Sequence, residues 1–288
     1  MISKRNLRIY AIGLAALLLL TSAAGCSLSS RNSLSIHMID VGQGESILIV
    51  TPHNKTILID AGEYREGRRV KAYLRKHRIN KIDLLIGTHP HSDHIGGLAE
   101  IIHNFKVDQI VMPRTFHNST TFENLLMAIE SSHLKINSPE LHKKIQFDED
   151  IQLQFLGPLK EYGDHLNLWS IVLRLEYKNQ SFLFTGDMEK EAEMDLLNFY
   201  DEKSMVANVL NIGHHGSDTS TSEGFLNTVN PEIALISAGK NNAYGHPHPE
   251  VIQRLKEHQV WIYRTDIQGN VVLFSDGYKI WSNQPPSN

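Results

Sequence analysis

Short apolar runs broken by turn residues give this chain a repeating strand and helix rhythm. Ser35-Ile-His-Met-Ile39 alternates apolar and polar positions. Ser46-Ile-Leu-Ile-Val50 and Thr56-Ile-Leu-Ile-Asp60 are compact β runs, set apart by Gly42-Gln-Gly44 and Pro52-His-Asn54. From Gly67 to His77 the period lengthens, and Val70, Tyr73 and Leu74 share one face of a helix. Ile82 to Gly87 reads as a buried parallel strand, Leu98 to His103 as a helix, Lys106 to Met112 as a strand and Phe122 to Ser131 as a helix. In the second half, strands are expected over Ile151 to Leu156, Ser170 to Tyr177, Ser181 to Thr185 and Val206 to Ile212. Further strands cover Ile233 to Ser237, Trp261 to Arg264 and Val271 to Ser275. Helices are expected over Glu189 to Phe199, Ser222 to Val229 and Pro249 to His258. Each half ends in β–α alternation. That predicts an α/β domain of two packed sheets flanked by helices, with its chemistry at strand ends.

The first residues carry a different signal. Lys4, Arg5 and Arg8 precede an apolar run, Ile9 to Leu20, and small residues lead to Cys26. The pattern is that of a secretory signal, and its Ala-Gly-Cys ending resembles a bacterial lipobox. The expected organisation is a signal peptide over 1–25, lipidation at Cys26, a tether over 26–33, one domain over 34–282 and a disordered tail over 283–288. An uncleaved membrane anchor is the alternative, near the short limit of ~17–25 apolar residues for a spanning helix. Both place the domain outside the cytoplasm, held at the outer face of the cell membrane. Cys26 is the single cysteine, so no intramolecular disulfide can form.

The formal net charge of −4 excludes a generally basic nucleic-acid binder. Arg65 to Arg78 is a local exception, with Arg65, Arg68, Arg69, Lys71, Arg75, Lys76 and Arg78. It reads either as the solvated face of a helix or as a ridge that attracts phosphate.

Candidate chemistry concentrates in Thr88-His-Pro-His-Ser-Asp-His-Ile-Gly-Gly97, directly after the strand Ile82 to Gly87. His89, His91, Asp93 and His94 are ligand types that zinc, manganese or iron accept. In an extended turn His89 and His91 point the same way and can share one ion, leaving Asp93 and His94 for a second. Asp187 closes the apolar run from Phe182, and a carboxylate at a buried strand end needs a charge partner. The alternative for Asp187 is a helix cap. Of His214 and His215, one is expected to face the site, because adjacent side chains diverge. His248 is a substrate contact or a surface turn residue. Glu45 and Asp60 read as supports behind the ligands or as packing residues.

Taken together, Asp40-Val-Gly-Gln-Gly-Glu-Ser46, Leu58-Ile-Asp-Ala-Gly62, Thr88 to Gly97, Asn167 to Leu173, Phe184-Thr-Gly-Asp187, Gly213-His-His-Gly-Ser217 and Tyr244-Gly-His-Pro-His-Pro-Glu250 resemble the metallo-β-lactamase-fold hydrolases. More narrowly, they resemble the soluble hydrolase domain of ComEC-type DNA-uptake proteins and its stand-alone secreted relatives. The resemblance implies an αββα sandwich. It implies two divalent ions, zinc or manganese, held by His89, His91, Asp93, His94, Asp187 and His246, with Asp187 bridging them. It further implies catalytic roles for Asp93, Asp187 and His215, and substrate contacts from His214, His248, Asn167 and Ser170. Two departures stand out. Asn167-Leu-Trp-Ser170 occupies the place where the wider fold carries a further His ligand, and Glu45 stands where the DNA-uptake relatives carry Asp. The implied activity is an extracytoplasmic phosphodiesterase or nuclease acting on DNA through a metal-activated hydroxide, with the DNA-uptake machinery as partner. The alternatives are an ester or lactone hydrolase of the same fold, and a non-catalytic metal-binding surface lipoprotein.

Overall fold

The computed structural model describes residues 33–288. The expected signal peptide, Cys26 and all but the last residue of the tether lie outside them. Among the described residues no helix is long and apolar enough to cross a membrane.

Two mixed sheets face one another. Edge to edge, the first runs Ile280–Ser282, Val271–Ser275, Leu34–Met38, Ile47–Val50, Thr56–Ile59, Leu84–Ile86, Ile110–Val111 and Ile136–Asn137. The second runs Trp261–Arg264, Ile233–Ile236, Val209–Asn211, Gln180–Phe184, Val172–Tyr177, Ile151–Gly157 and Lys144–Asp148. In each sheet one half is antiparallel and the other parallel. Alternate side chains of both sheets meet in a central layer that includes Ile36, Ile49, Ile57, Leu173, Phe182 and Val209. The opposite sheet faces are covered by helices. Val70, Leu74, Leu98 and Leu125 pack on the first sheet, and Leu196, Phe225, Val251 and Leu255 on the second. This is the αββα sandwich expected from the sequence. The parallel strands Thr56–Ile59, Leu84–Ile86, Gln180–Phe184, Val209–Asn211 and Ile233–Ile236 end on one side of the molecule, where open α/β sheets bind ligands.

Four expectations change. The run Ile82 to Gly87 is not one strand but two, Lys81–Ile82 and Leu84–Ile86, in different sheets. The run Lys106 to Met112 is not one strand but two, Lys106–Val107 and Ile110–Val111, in different sheets. Asp108 breaks it, because its carboxylate leaves the ladder to pair with Lys81 at 2.6 Å. The strands Ile136–Asn137, Lys144–Asp148 and Ile280–Ser282 were not anticipated, as all three are edge strands with weak apolar alternation. Residues 283–288, expected to be disordered, are tied down. Ser287 donates its backbone N–H to the Ile262 carbonyl at 2.8 Å, and Ile262 donates to Asn288 Oδ1 at 2.7 Å. Strand Trp261–Arg264 is the free edge of its sheet, and its unpaired backbone groups recruit the tail.

The first sheet buries one histidine unrelated to the site. His37 is 5% exposed, with Nδ1 at 2.9 Å from the Tyr73 hydroxyl and Nε2 at 3.0 Å from the Ser35 hydroxyl. Burial, and then the neighbouring His77, push His37 down to about 3. The unfolded chain takes up this proton near pH ~6.5, and the folded chain holds it off until about 3, so stability is lost as the pH is lowered through that window. One such proton is worth about 1.4 kcal/mol per pH unit. Urea unfolding of metal-stripped protein between about pH 4 and 6 should show a slope shallower by about one proton in His37→Gln. An unchanged slope would remove His37 from the acid response.

Candidate metal centre

His89 follows the end of strand Leu84–Ile86, and the backbone is still extended at His91. A single helical turn, Ser92–Ile95, then carries Asp93 and His94. Asp187 lies just beyond strand Gln180–Phe184, and His215 beyond Val209–Asn211. These side chains form two groups whose ligand atoms lie within 4.8 Å of one another: His89, His91 and Asp187, and Asp93, His94, Asp187 and His215. Asp187 belongs to both, and the partition of the first four ligands matches that read from their spacing.

Two glycine contacts set this geometry. Gly44 has φ +134, and a Cβ there would strike the Asp93 carbonyl, which accepts the Glu45 N–H at 3.1 Å. Gly97 lets the Asp60 to Gly62 segment cross directly over it, so that Ala61 N–H reaches the His94 carbonyl at 2.8 Å. Asp60 is thereby placed behind His94. Its Oδ2 lies 2.8 Å from His94 Nδ1, and it accepts both the Thr88 N–H at 2.9 Å and the Thr88 hydroxyl at 2.6 Å. His215 Nδ1 donates to the Ser237 carbonyl at 3.0 Å. In both residues the Nδ1 contact leaves Nε2 facing the centre, as oriented metal ligands require. Glu45, left open by the sequence, is fully buried. One oxygen accepts from Asn211 Nδ2 at 2.9 Å, while the other has no partner. Thr88, Asn211 and Ser237 went unnoticed in the sequence. The one available signal was Asn211, a polar residue inside an apolar strand.

The electrostatics of the cluster are those of a cation site. Burial alone would raise the Asp187 carboxyl, but His215 and His94 outweigh it and hold it well below the usual carboxylate range. Asp93 is held down against burial by His94 and by its hydrogen bond with His215. Burial would lower His94, yet Asp187, Asp93 and Asp60 hold it well above the usual histidine value. His215 is raised in the same way, chiefly by Asp187. Burial pushes Glu45 up to about 7, with His94 opposing and Asp60 reinforcing. The ring nitrogens of His94 and His215 face each other at 3.3 Å, and His94 Nε2 lies 3.1 Å from Asp187 Oδ1. Converging nitrogens and carboxylates without solvent are what a divalent ion neutralises, and the donor set suits zinc or manganese.

The remaining expected residues divide. His214 and His215 both face the site, contrary to the expectation of one. They are consecutive left-handed residues, with φ 50 and φ 56, and this tight turn aims both rings inward. Such conformations cost of order 1–3 kcal/mol each and persist where surrounding contacts demand them. His246 lies outside both ligand groups, whereas His215 lies within one of them. Its ring lines the cleft 5.5 Å from that of His214, and its Nδ1 is buried without a partner. Burial, then the neighbouring imidazoles, push His246 down to about 4. Ser170 is not a substrate contact. It is 1% exposed and accepts the Asp187 N–H at 3.0 Å, with His89 Nδ1 at 3.4 Å. Asn167 donates to Glu189 at 2.9 Å and lies 3.4 Å from His214. His248 joins two loops instead of meeting substrate: Nδ1 accepts the Asp218 N–H at 3.0 Å, and Nε2 donates to the Tyr244 carbonyl at 3.2 Å. His117, not singled out before, lines the cleft of about 450 Å³ above the centre. The basic helix Gly67–Lys76 contributes nothing to that cleft. Arg69 pairs with Glu66 at 3.1 Å and Lys71 with Glu100, as on a solvated face.

A sandwich of two mixed sheets with histidine and aspartate ligands gathered at its strand ends defines a metal-dependent hydrolase fold. The chain belongs to the metallo-beta-lactamase superfamily, whose family model matches residues 39–240. It is 35% identical over 253 residues to "ComE operon protein 3" of Bacillus subtilis (strain 168), covering 82% of this chain and 32% of that protein. It is 29% identical to "Competence protein ComA" of Neisseria gonorrhoeae, covering 83% of this chain and 32% of that one. The chain thus spans about a third of the length of these relatives. Among solved structures it resembles the metallo-beta-lactamase fold protein YhfI from Bacillus subtilis, with a TM-score of 0.51, 12% identity and coverage of 86% and 99% of the two chains.

The shared carboxylate makes a test. Asp187→Asn, which preserves shape, should lose at least one of two bound ions by elemental analysis after loading with zinc or manganese. Asp60→Asn should keep both but weaken the ion of the His94 group about 10–100-fold. Full metal content in Asp187→Asn would refute a shared centre.

Proposed function

We propose that this protein is an extracytoplasmic metal-dependent phosphodiesterase that cleaves DNA, held to the outer membrane face by lipid on Cys26. The observation that carries the reading is Asp187 common to two ligand groups, since a paired-ion site suits in-line displacement at a phosphodiester. Similarity to two competence proteins supports DNA as substrate and the DNA-uptake machinery as partner.

His89, His91 and Asp187 would hold one ion, and Asp93, His94, Asp187 and His215 the other. Divalent ions so held polarise a phosphoryl oxygen and make a water acidic enough to attack near neutral pH. The chain's own residues do the rest. Asp93 reaches the cleft, with its side chain 27% exposed against 4% for Asp187, so Asp93 is placed to receive the proton of the attacking water. His214 is the proton donor to the leaving oxygen. Its Nδ1 is held by Glu189 at 3.1 Å, and its side chain is 23% exposed at the cleft. His215, expected in a catalytic role, is turned into the ligand group instead. Neutral His246 keeps one ring N–H, which it can donate to a phosphate oxygen.

The test is cleavage of labelled single-stranded and double-stranded DNA, beside a lactone, with manganese or zinc and with chelator. DNA cleavage abolished by chelator is expected. Lactone turnover in its place would favour the ester or lactone reading, and no turnover with full metal content would favour the binding lipoprotein. His214→Ala should lower kcat about 10²–10⁴-fold, the usual range for a lost general acid, with metal content unchanged.

A further inference from the structure

The cleft gives a polyanion no fixed positive charge to hold. Among the described residues that line it, none is Lys or Arg. Ions at the centre can grip one phosphate, but the neighbouring nucleotides need another kind of contact. One lining residue is built for it. Tyr244 is 67% exposed while lining the cleft. Its ring stacks on His246, with centroids 5.6 Å apart and an interplanar angle of 24°. So exposed a phenol, backed on one side by a flat imidazole, leaves its outer face to solvent.

The platform is held rigidly. Asn242 Oδ1 accepts the backbone N–H of Tyr244 at 3.1 Å and of His246 at 3.0 Å. Asn242 Nδ2 donates to the carbonyls of Gly239, at 2.8 Å, and of His246. His248 Nε2 fixes the Tyr244 carbonyl from the other side. A ring carried on a tied-down backbone and stacked on His246 has less freedom to lose when a ligand stacks on it. An aromatic face beside a phosphate-binding point is how sequence-tolerant single-strand binding works, because every base presents a flat π-surface.

We propose that Tyr244, backed by His246, is the stacking seat for the nucleobase next to the scissile phosphate, and that the protein therefore selects single-stranded polynucleotide. This rests on the phosphodiesterase reading above. A base paired within a duplex cannot present its face to the ring, so selection follows from the geometry.

The test uses the whole protein and three fluorescein-labelled probes: a single-stranded oligonucleotide, the same length of abasic strand, and the duplex. Dissociation constants are read by anisotropy with chelator, and KM is read with manganese. The base-containing single strand should be preferred over the other two by about ten-fold or more, the range that stacking of one base supplies. Tyr244→Ala should erase that preference and Tyr244→Phe should keep it. Tyr278→Ala, an equally exposed ring outside the cleft, should change nothing. Equal values for Tyr244→Ala and unaltered protein, or no preference in the unaltered protein, would overturn the seat while leaving DNA cleavage standing. A Tyr244-dependent preference in binding without any cleavage would uphold the seat and sink the nuclease reading.

Discussion

One shared carboxylate orders this molecule. Asp187 is almost wholly buried and ionised, and it faces His89, His94, His214 and His215 within 4 Å. An ionised group cannot stay dry without compensation, and several imidazoles in place of water do not cancel one another's desolvation cost. The histidines that pull Asp187 down repel each other, and Asp93 adds a second negative charge to the same few ångströms. Divalent cations held by these residues would resolve the conflict, taking the place of protons on the imidazoles and offsetting both carboxylates. The fold serves this end. Both sheets turn their parallel strands to one side, so that segments far apart in sequence deliver single side chains to one place.

That division explains what the sequence could and could not reveal. His89, His91, Asp93 and His94 were legible because they lie within one turn, where spacing alone implies convergence. Asp187 was legible because a carboxylate ending the buried run Phe182 to Thr185 needs a charge partner, which weighed more than its alternative as a helix cap. The supports were legible only in part: Glu45 and Asp60 read as residues behind the ligands or as packing, but the partners they meet did not show. Asp60 reaches His94 across 34 positions, Ser237 reaches His215 across 22 and Asn211 reaches Glu45 across 166. Nothing local marks such pairs. His214 and His215 misled for a subtler reason. Side chains of neighbours diverge in strand or helix, but two successive left-handed residues curl the chain enough to bring both rings to one side. Ser170 misled in the opposite way. Its place beside the site implied contact with substrate, whereas the structure spends its hydroxyl on the Asp187 backbone.

The sheet edges show the same limit on a larger scale. Central strands announce themselves through continuous apolar runs, because both faces are covered. Edge strands such as Lys144–Asp148 have half their side chains in water and carry no such mark. The tail at Ser287 and Asn288 is legible only once the free edge it completes is known.

Asn167 bears on how the two ligand groups differ. It stands where the wider fold carries another imidazole, and its side chain turns to Glu189 and His214 instead of the centre. The group around His89 therefore draws on three residues, and the group around His94 on four. The smaller group also lacks an Asp60: His89 Nδ1 meets only the hydroxyls of Thr88 and Ser170. A hydroxyl raises a ligand's basicity less than a carboxylate does. The two positions are thus unequal in ligand number and in the strength of their support. The four-residue position is suited to retaining its ion. Both positions border the cleft, since His91, Asp93, Asp187 and His215 all line it, but an ion held by three residues would keep more of its coordination open there.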